Sequence, residues 1–135
     1  MSRYFFNEGA FDSLDMGLSD ATIHVLRFAD ETRLFIDRKP LRAGATPRDL
    51  ALARTELEAR SLLTLTVLDQ RDGGAAFDVA ACFRDGNDLV YQLRRHFIQP
   101  PSAFTFTLRG PMHARADVDA RMDQLFTSLR FRQDA

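Results

Sequence analysis

Apolar and polar residues alternate with a period of two along most of this chain, and that alternation is typical of β-strands. Short segments rich in glycine, asparagine, aspartate or proline separate the alternating stretches, which favours tight connections between antiparallel neighbours. The predicted strands cover residues 3–7, 21–28, 32–38, 63–70, 75–84, 89–99 and 103–108. We expect the segments after residue 62 to form a three-stranded meander followed by a fourth strand.

Two further segments carry apolar residues at helical spacing. The first helix is predicted over 47–62, where Thr46 suits the N-cap and Pro47 the first helical position. Its apolar positions are Leu50, Ala53 and Leu57. The second helix is predicted over 116–129, with an apolar stripe that consists of Val118, Met122, Leu125 and Leu129. Each helix should therefore pack one side against the sheet.

The elements follow the order strands, helix, strands, helix, which predicts an α+β fold with an antiparallel sheet and two main helices. The chain has 135 residues, the length that one hydrophobic core typically organises. It contains no internal repeat and no linker-like tract. We therefore expect a single domain over residues 1–135.

Several predicted strands have apolar residues on both faces. In the segment 21–28, the apolar residues on the two sides are Ile23 and Val25 against Leu26 and Phe28. A strand with one solvated face normally alternates cleanly, and two helices packed on the same face would leave the other face without intramolecular cover. A second layer formed by curling of the sheet, a twin subunit or an apolar partner would provide that cover.

Composition and charge exclude several classes of protein. The chain is 45% hydrophobic and 27% charged, which is close to a soluble globular average. Its net charge of −1 gives no basic excess for binding nucleic acid. The apolar runs are far shorter than the roughly 20 residues that span a bilayer, and the first residues do not form a charged leader with an apolar core. We expect a cytoplasmic protein that does not insert into membranes.

The chemistry-bearing residues form no recognisable catalytic or metal-binding set. The three histidines are His24, His96 and His113. None of them stands at the i, i+4 spacing of a helical zinc site, and Cys82 has no neighbouring cysteine or histidine. The glycine-containing turns lie between strands and do not lead into a helix as a phosphate-binding loop would. We expect no enzymatic activity, no metal and no cofactor.

Collinear motifs over nearly the whole chain resemble the DcrB-like domain. The matching segments are Tyr4-Phe5-Phe6-Asn7-Glu8-Gly9, Asp20-Ala21-Thr22-Ile23-His24-Val25-Leu26, Leu34-Phe35-Ile36-Asp37-Arg38, Leu93-Arg94-Arg95-His96-Phe97, Phe104-Thr105-Phe106-Thr107 and Leu125-Phe126-Thr127-Ser128-Leu129-Arg130-Phe131. Among DcrB-like proteins, the chain is most similar to the short Eag chaperones of type VI secretion effectors.

The resemblance implies a PsbP-like fold with a strongly curved sheet, and a homodimer that holds the N-terminal transmembrane helices of a secreted effector of the PAAR/Rhs type. It implies no reaction and no nucleic acid. The effector-binding residues that it implies on one sheet face are Ile23, Val25, Tyr91, Leu93 and Arg95. The alternative is a small-molecule or lipid-binding module that uses the same apolar sheet face as a pocket.

Overall fold

The computed structural model describes residues 3–6, 9–12, 19–20, 25–28, 32–62 and 64–131. Within these residues it contains β-strands, two α-helices and a short 3-10 helix. The strands are β1 (Arg3–Phe6), β2 (Gly9–Asp12), β3 (Ser19–Asp20), β4 (Val25–Arg27), β5 (Arg33–Pro40), β6 (Thr66–Asp72), β7 (Ala76–Asp85), β8 (Asp88–Gln99), β9 (Ser102–Pro111) and β10 (Arg130–Phe131). The helices are α1 (Pro47–Ser61), η1 (Met112–Ala114) and α2 (Arg115–Ser128).

Seven of these strands form one antiparallel sheet in the order β3-β4-β5-β9-β8-β7-β6. The strands β6 to β9 follow one another through short turns, and β5 pairs with β9, so the parts of the chain before and after α1 join in the middle of the sheet. A second, three-stranded sheet has the order β1-β2-β10. The predicted α+β class and the order of strands and helices are confirmed.

The main core lies between α2 and one face of the large sheet, which we call the α2 face. Adjacent strands place apolar residues in rows across this face, and one row consists of Leu26, Leu34, Leu108 and Leu93. The α2 residues Val118, Met122 and Leu125 pack against these rows and are almost completely buried. Burial of each such side chain contributes about 1.5–3 kcal/mol, so α2 is held mainly by the hydrophobic effect.

The helix α1 packs on the opposite face of the large sheet, which we call the α1 face. Its residue Ala51 is buried against Phe77 and Val79 of β7. These two residues alternate along β7 with Ala80, which belongs to the core beneath α2. Because successive side chains of a strand point to opposite faces, the two helices cover different faces of the sheet. The arrangement with both helices on one face, which would have left the other face without any helix, therefore does not occur.

The predicted start of α1 is confirmed, but its predicted apolar stripe is not. The Thr46 side chain accepts a hydrogen bond from the Asp49 amide and the Asp49 carboxylate accepts one from the Thr46 amide, which forms a capping box. Leu57, however, is 59% exposed, and Ala53 is also exposed. Ala51 makes the buried apolar contact instead. The remaining attachment of α1 is made by charged side chains, described below.

The strand β6 forms one edge of the large sheet. All seven of its residues, Thr66–Asp72, are exposed. Its pairing with β7 is interrupted between Val67 and Asp69, where an additional residue shifts the register. The strand therefore has an irregular and strongly polar outer edge.

Candidate functional site

Two of the five predicted effector-binding residues belong to the core. Tyr91 is fully buried and Leu93 is 4% exposed, and both lie on the α2 face among the residues packed against α2. The Tyr91 hydroxyl donates a hydrogen bond of 2.6 Å to the Asp119 carboxylate of that helix, and burial raises the pKa of Tyr91, as does this bond. The prediction that these two side chains line an open surface is wrong, because α2 already covers them.

Arg95 also lies on the α2 face, where it has three intramolecular partners. Its guanidinium donates to the Asp78 carboxylate at 2.8 and 2.9 Å and to Asp123 of α2 at 3.1 Å, and it lies over the Phe126 ring at 4.5 Å. Burial lowers the pKa of Arg95, but the two carboxylates outweigh it and the net direction is upward. Arg95 therefore connects β7 and β8 to α2, and its donors do not face an open groove.

The two remaining predicted residues come from the first third of the chain. Ile23 lies outside the described residues. The register places Val25 in the row of Phe35, Thr107 and Arg94, which is one position out of step with the row that contains Leu93. Val25 therefore does not share a face with Tyr91, Leu93 and Arg95. The sequence could not show this, because it does not reveal how β4 and β5 align with β8.

A layer of charged residues joins α1 to the sheet. Glu58 of α1 accepts hydrogen bonds from both terminal nitrogens of Arg94, from Arg109 at 3.3 Å and from the Gln92 amide at 3.2 Å. The Arg94 Nε donates to Thr107 at 2.9 Å. The side chains of Arg94 and Glu58 are only 4% and 10% exposed, so these charge-assisted bonds form in a poorly solvated layer. Burial lowers the pKa of Arg94, and Glu58 opposes that effect.

His96 lies in the same layer, two residues after Arg94 in β8 and therefore on the same face of the sheet. Its Nδ1 lies 3.0 Å from the Thr105 hydroxyl, and its Nε2 has no hydrogen-bond partner among the described residues. Burial lowers the pKa of His96 to about 3, and the positive charges of Arg94, Arg54 and Lys39 add to that effect. The imidazole is therefore neutral near pH 7 and is not poised for acid–base chemistry there.

An open cleft of about 610 Å³ lies on the α1 face, beside the part that α1 covers. We call it the arginine cleft. Its principal lining residues are Arg33, Phe35, Phe83, Leu89, Val90 and Arg109. The Arg109 guanidinium lies between two of the rings, with 5.1 Å to the centroid of Phe35 and 5.1 Å to that of Phe83. Because Arg109 also binds Glu58, the charged layer under α1 continues directly into the cleft.

Cross-strand pairing places arginines side by side at one end of the cleft. Arg33 of β5 is the Cα partner of Arg109 in β9, and Arg27 of β4 is the partner of Arg33. Burial lowers the pKa of Arg109, Glu58 opposes this, and the charges of Arg54 and Arg33 lower it further. Like charges directly opposite each other destabilise a sheet, so this row of arginines would be stabilised by a negatively charged group. The sequence pattern alone did not reveal that these arginines are neighbours.

The other end of the cleft is acidic. Asp85 and Asp88 are paired across the turn between β7 and β8, and Gly86 in this turn has a φ of +63°, which glycine adopts without strain. Both carboxylates are exposed. Between the two charged ends, the floor is formed mainly by Phe83 and Val90. The arginine cleft is therefore apolar in the middle and oppositely charged at its ends.

Within the described residues, no three histidine, cysteine or acidic side chains lie close enough together to hold a metal ion. The acidic strand residues Asp37 and Asp78 form ion pairs with Arg54 and Arg95, respectively. In the same part of the chain, neither α-helix has the length and apolar character required to cross a membrane.

The architecture defines a PsbP-like α+β domain, and solved structures show the same fold. This chain superposes on cyanobacterial PsbP (CyanoP) from Synechocystis sp. PCC 6803 with a TM-score of 0.62 and 14% identity, over 97% of this chain and 92% of that one. It superposes on LpqN of Mycobacterium tuberculosis, described as involved in cell envelope biogenesis, with a TM-score of 0.60 and 12% identity, over 86% and 77% of the two chains.

A further similar structure is PA94 from Pseudomonas aeruginosa, described as a protein of unknown function and putative regulator. Here the TM-score is 0.70 and the identity 16%, over 99% of both chains. At such identities the likeness concerns the fold alone. No family model matches the chain, and no curated protein matches it.

Proposed function

We propose that this protein is a cytoplasmic, non-enzymatic chaperone of the Eag type, which shields the apolar N-terminal helices of a type VI secretion effector before the effector is loaded on the secretion spike. The collinear DcrB-like motifs support this proposal, and a PsbP-like fold is compatible with it. The observation that carries it is the open cleft of about 610 Å³ beside α1, whose apolar floor is not covered by any of the residues that the structure describes.

A transmembrane helix in water has a large apolar surface, and covering it contributes about 25 cal/mol for each Å² buried. The arginine cleft offers the aromatic ring of Phe83 and the aliphatic side chain of Val90 for this purpose. Val90 is only partly buried, so a bound helix would remove apolar surface of both molecules from water. This relocates the proposed binding surface from the α2 face to the α1 face.

The size of the cleft supports a chaperone that acts as a dimer. A helix of 20 residues is about 30 Å long and 10 Å wide, which corresponds to roughly 2,400 Å³. One cleft of about 610 Å³ can therefore cover only part of such a helix. Two copies of the chain that face the same segment would cover opposite sides of it, as the homodimer implied by the Eag resemblance would do.

The experiment compares two aspartate variants at apolar positions. Val90→Asp puts a charge on the cleft floor, whereas Leu57→Asp puts the same charge on the exposed side of α1, outside the cleft. In co-expression with the N-terminal fragment of a candidate effector, we expect Val90→Asp to abolish retention of the fragment and Leu57→Asp to preserve it, because a buried carboxylate opposes apolar contact.

Circular dichroism of both variants would first establish that each is folded. Equal retention by the two folded variants would contradict the proposal, as would retention of an effector fragment from which the apolar segments have been deleted.

A small-molecule or lipid-binding module is the second candidate, because about 610 Å³ falls within the range of ligand pockets, which is roughly 300–1,000 Å³. Native mass spectrometry of the purified protein distinguishes the two functions. A monomer that carries one lipid-sized mass would favour the second candidate over the chaperone.

A further inference from the structure

We propose that the arginine cleft binds a carboxylate carried by the apolar segment itself, through Arg33 and Arg109. This inference rests on the proposed function and specifies its ligand: an apolar helix that carries an aspartate or glutamate at the position that meets the arginine row. The site would therefore select among apolar segments by charge, in addition to covering them.

The first argument is the unequal number of positive and negative groups. Arg94, Arg109 and Arg33 occupy neighbouring positions on the α1 face, and Glu58 is the carboxylate that pairs with the first two of them. Arg33 is exposed at the cleft and stands directly opposite Arg109. Within the described residues, one carboxylate therefore serves a cluster of three guanidinium groups, and a ligand carboxylate would relieve the repulsion between Arg33 and Arg109.

The second argument is that Arg109 is held in position before any ligand binds. Its Nε donates to the Gln92 side chain at 2.9 Å and its Nη2 donates to Glu58 at 3.3 Å. The rings of Phe35 and Phe83 flank the guanidinium, whose side chain remains 32% exposed. A guanidinium fixed in this way loses little conformational entropy on binding, and its Nη1 lies outside both of these bonds.

The third argument is that the acidic end of the cleft sets the direction of the ligand. Asp88 lies four positions before Gln92 along β8, and Gln92 is the residue paired with Arg109. Four strand residues correspond to roughly 13 Å, or between two and three turns of a bound helix. Asp85 and Asp88 would repel a carboxylate at their own end, so the acidic group of the ligand belongs at the arginine end and its apolar turns lie over Val90.

The test uses two synthetic peptides of alanine and leucine, capped at both termini, which are identical except for one central residue, glutamate or glutamine. We expect the wild-type protein to bind the glutamate peptide about 10- to 100-fold more tightly than the glutamine peptide, the factor that a charge-assisted bidentate contact provides. Arg33→Gln should reduce this preference to about threefold or less, since it removes one of the two guanidinium groups, those of Arg33 and Arg109, that bind the carboxylate.

Arg48→Gln is the matched control, because Arg48 is likewise exposed but lies on α1 outside the cleft. This variant should retain the full preference. A charge exchange gives an independent readout: Arg33→Glu should prefer a peptide with lysine at the central position over the glutamate peptide. Equal affinities of the wild-type protein for the glutamate and glutamine peptides, or an unchanged preference in Arg33→Gln, would overturn the inference.

Dodecanoate and dodecanol, each below its micellar concentration, test the other source of an apolar carboxylate. Tight binding of dodecanoate without binding of the glutamate peptide would overturn the assignment to a protein segment. The failure of the proposed function is distinguishable: an effector fragment that is not retained, together with an intact glutamate preference, would contradict the chaperone alone. Retention of the fragment without any glutamate preference would contradict the carboxylate site alone.

Discussion

His96 illustrates how the α1 face tolerates buried polar residues. The ring is 1% exposed, and the positive charges nearest to it come from Arg94, Arg54 and Lys39. Protonation would add a further positive charge to a layer that already has a surplus of arginine. The folded protein therefore keeps the imidazole neutral, and its pKa lies at about 3 instead of near 6.5.

This difference in pKa predicts a loss of stability in mild acid. The unfolded chain takes up a proton at His96 as the pH falls below about 6.5, whereas the folded chain does not until about pH 3, so stability present above 6.5 is lost progressively as the pH falls. Between pH 6.5 and 5 the free energy of unfolding should decline with a slope approaching 1.4 kcal/mol per pH unit from this group. Urea unfolding of the wild type and of His96→Leu at several pH values measures it.

The His96→Leu variant cannot take up this proton in either state, so its stability should depend less on pH over the same interval. Parallel curves for the two proteins would show that the ring is protonated in the folded state at a nearly normal pKa.

At the scale of elements, the two helices are attached by different forces. The helix α2 buries an apolar stripe, while α1 contributes one small buried apolar residue, Ala51, and the carboxylate of Glu58. Removing one partner of a buried ion pair leaves the other charge desolvated without compensation. For this reason we expect the attachment of α1 to depend strongly on Glu58.

The two glutamates Glu58 and Glu56 of α1 should contribute very differently to the stability of the fold. Glu58→Ala should destabilise the fold by about 3–5 kcal/mol because Arg94 remains buried without its carboxylate. Glu56→Ala is the control, since Glu56 is 72% exposed and pairs with Arg60 one turn away, a contact worth well under about 1 kcal/mol. Denaturant unfolding of both variants measures the difference. Similar losses in the two variants would contradict the buried-pair account.

The elements themselves could be predicted from the sequence because their signals are local. The capping pattern at Thr46 and the four-residue spacing from Val118 to Met122 each depend on a few neighbouring residues. The docking side of α1 could not be predicted in this way. Its leucines suggested an apolar stripe, and only the tertiary structure shows that Glu58 faces the sheet instead.

The candidate site was harder to predict because it depends on pairing between distant strands. Arg33 and Arg109 are separated by most of the chain, and they become neighbours only through the register between β5 and β9. Period-two alternation correctly grouped Tyr91 with Leu93 on one face. It could not indicate that α2 covers this face, since that depends on which side of the sheet the last helix crosses.

At the scale of the whole molecule, the proposed function requires more cover than one chain provides. The arginine cleft occupies about 610 Å³ on one face, and α2 packs against the core residues of the opposite face. A second copy is the simplest source of additional cover for a long apolar helix. The partner and the dimer are therefore linked in the proposal.

We expect the purified protein to form a dimer, with a mass of about twice the 15.3 kDa of the chain. Sedimentation equilibrium or light scattering measures this mass. The dimer should persist in Val90→Asp, since the proposal assigns that residue to the ligand and not to the contact between subunits. A strictly monomeric protein, with or without the effector fragment, would contradict the two-sided arrangement.

The outer strand β6 has a consequence for behaviour at high concentration. An unpaired edge invites strands of other molecules to add on, and this addition can continue into fibrils. The register shift after Val67 and the charges of Asp69, Arg71 and Asp72 oppose that reaction by breaking the regular ladder and charging its rim. We therefore expect little polymerisation through β6 at high protein concentration. This protection is independent of the arginine cleft, which exposes apolar surface elsewhere on the molecule.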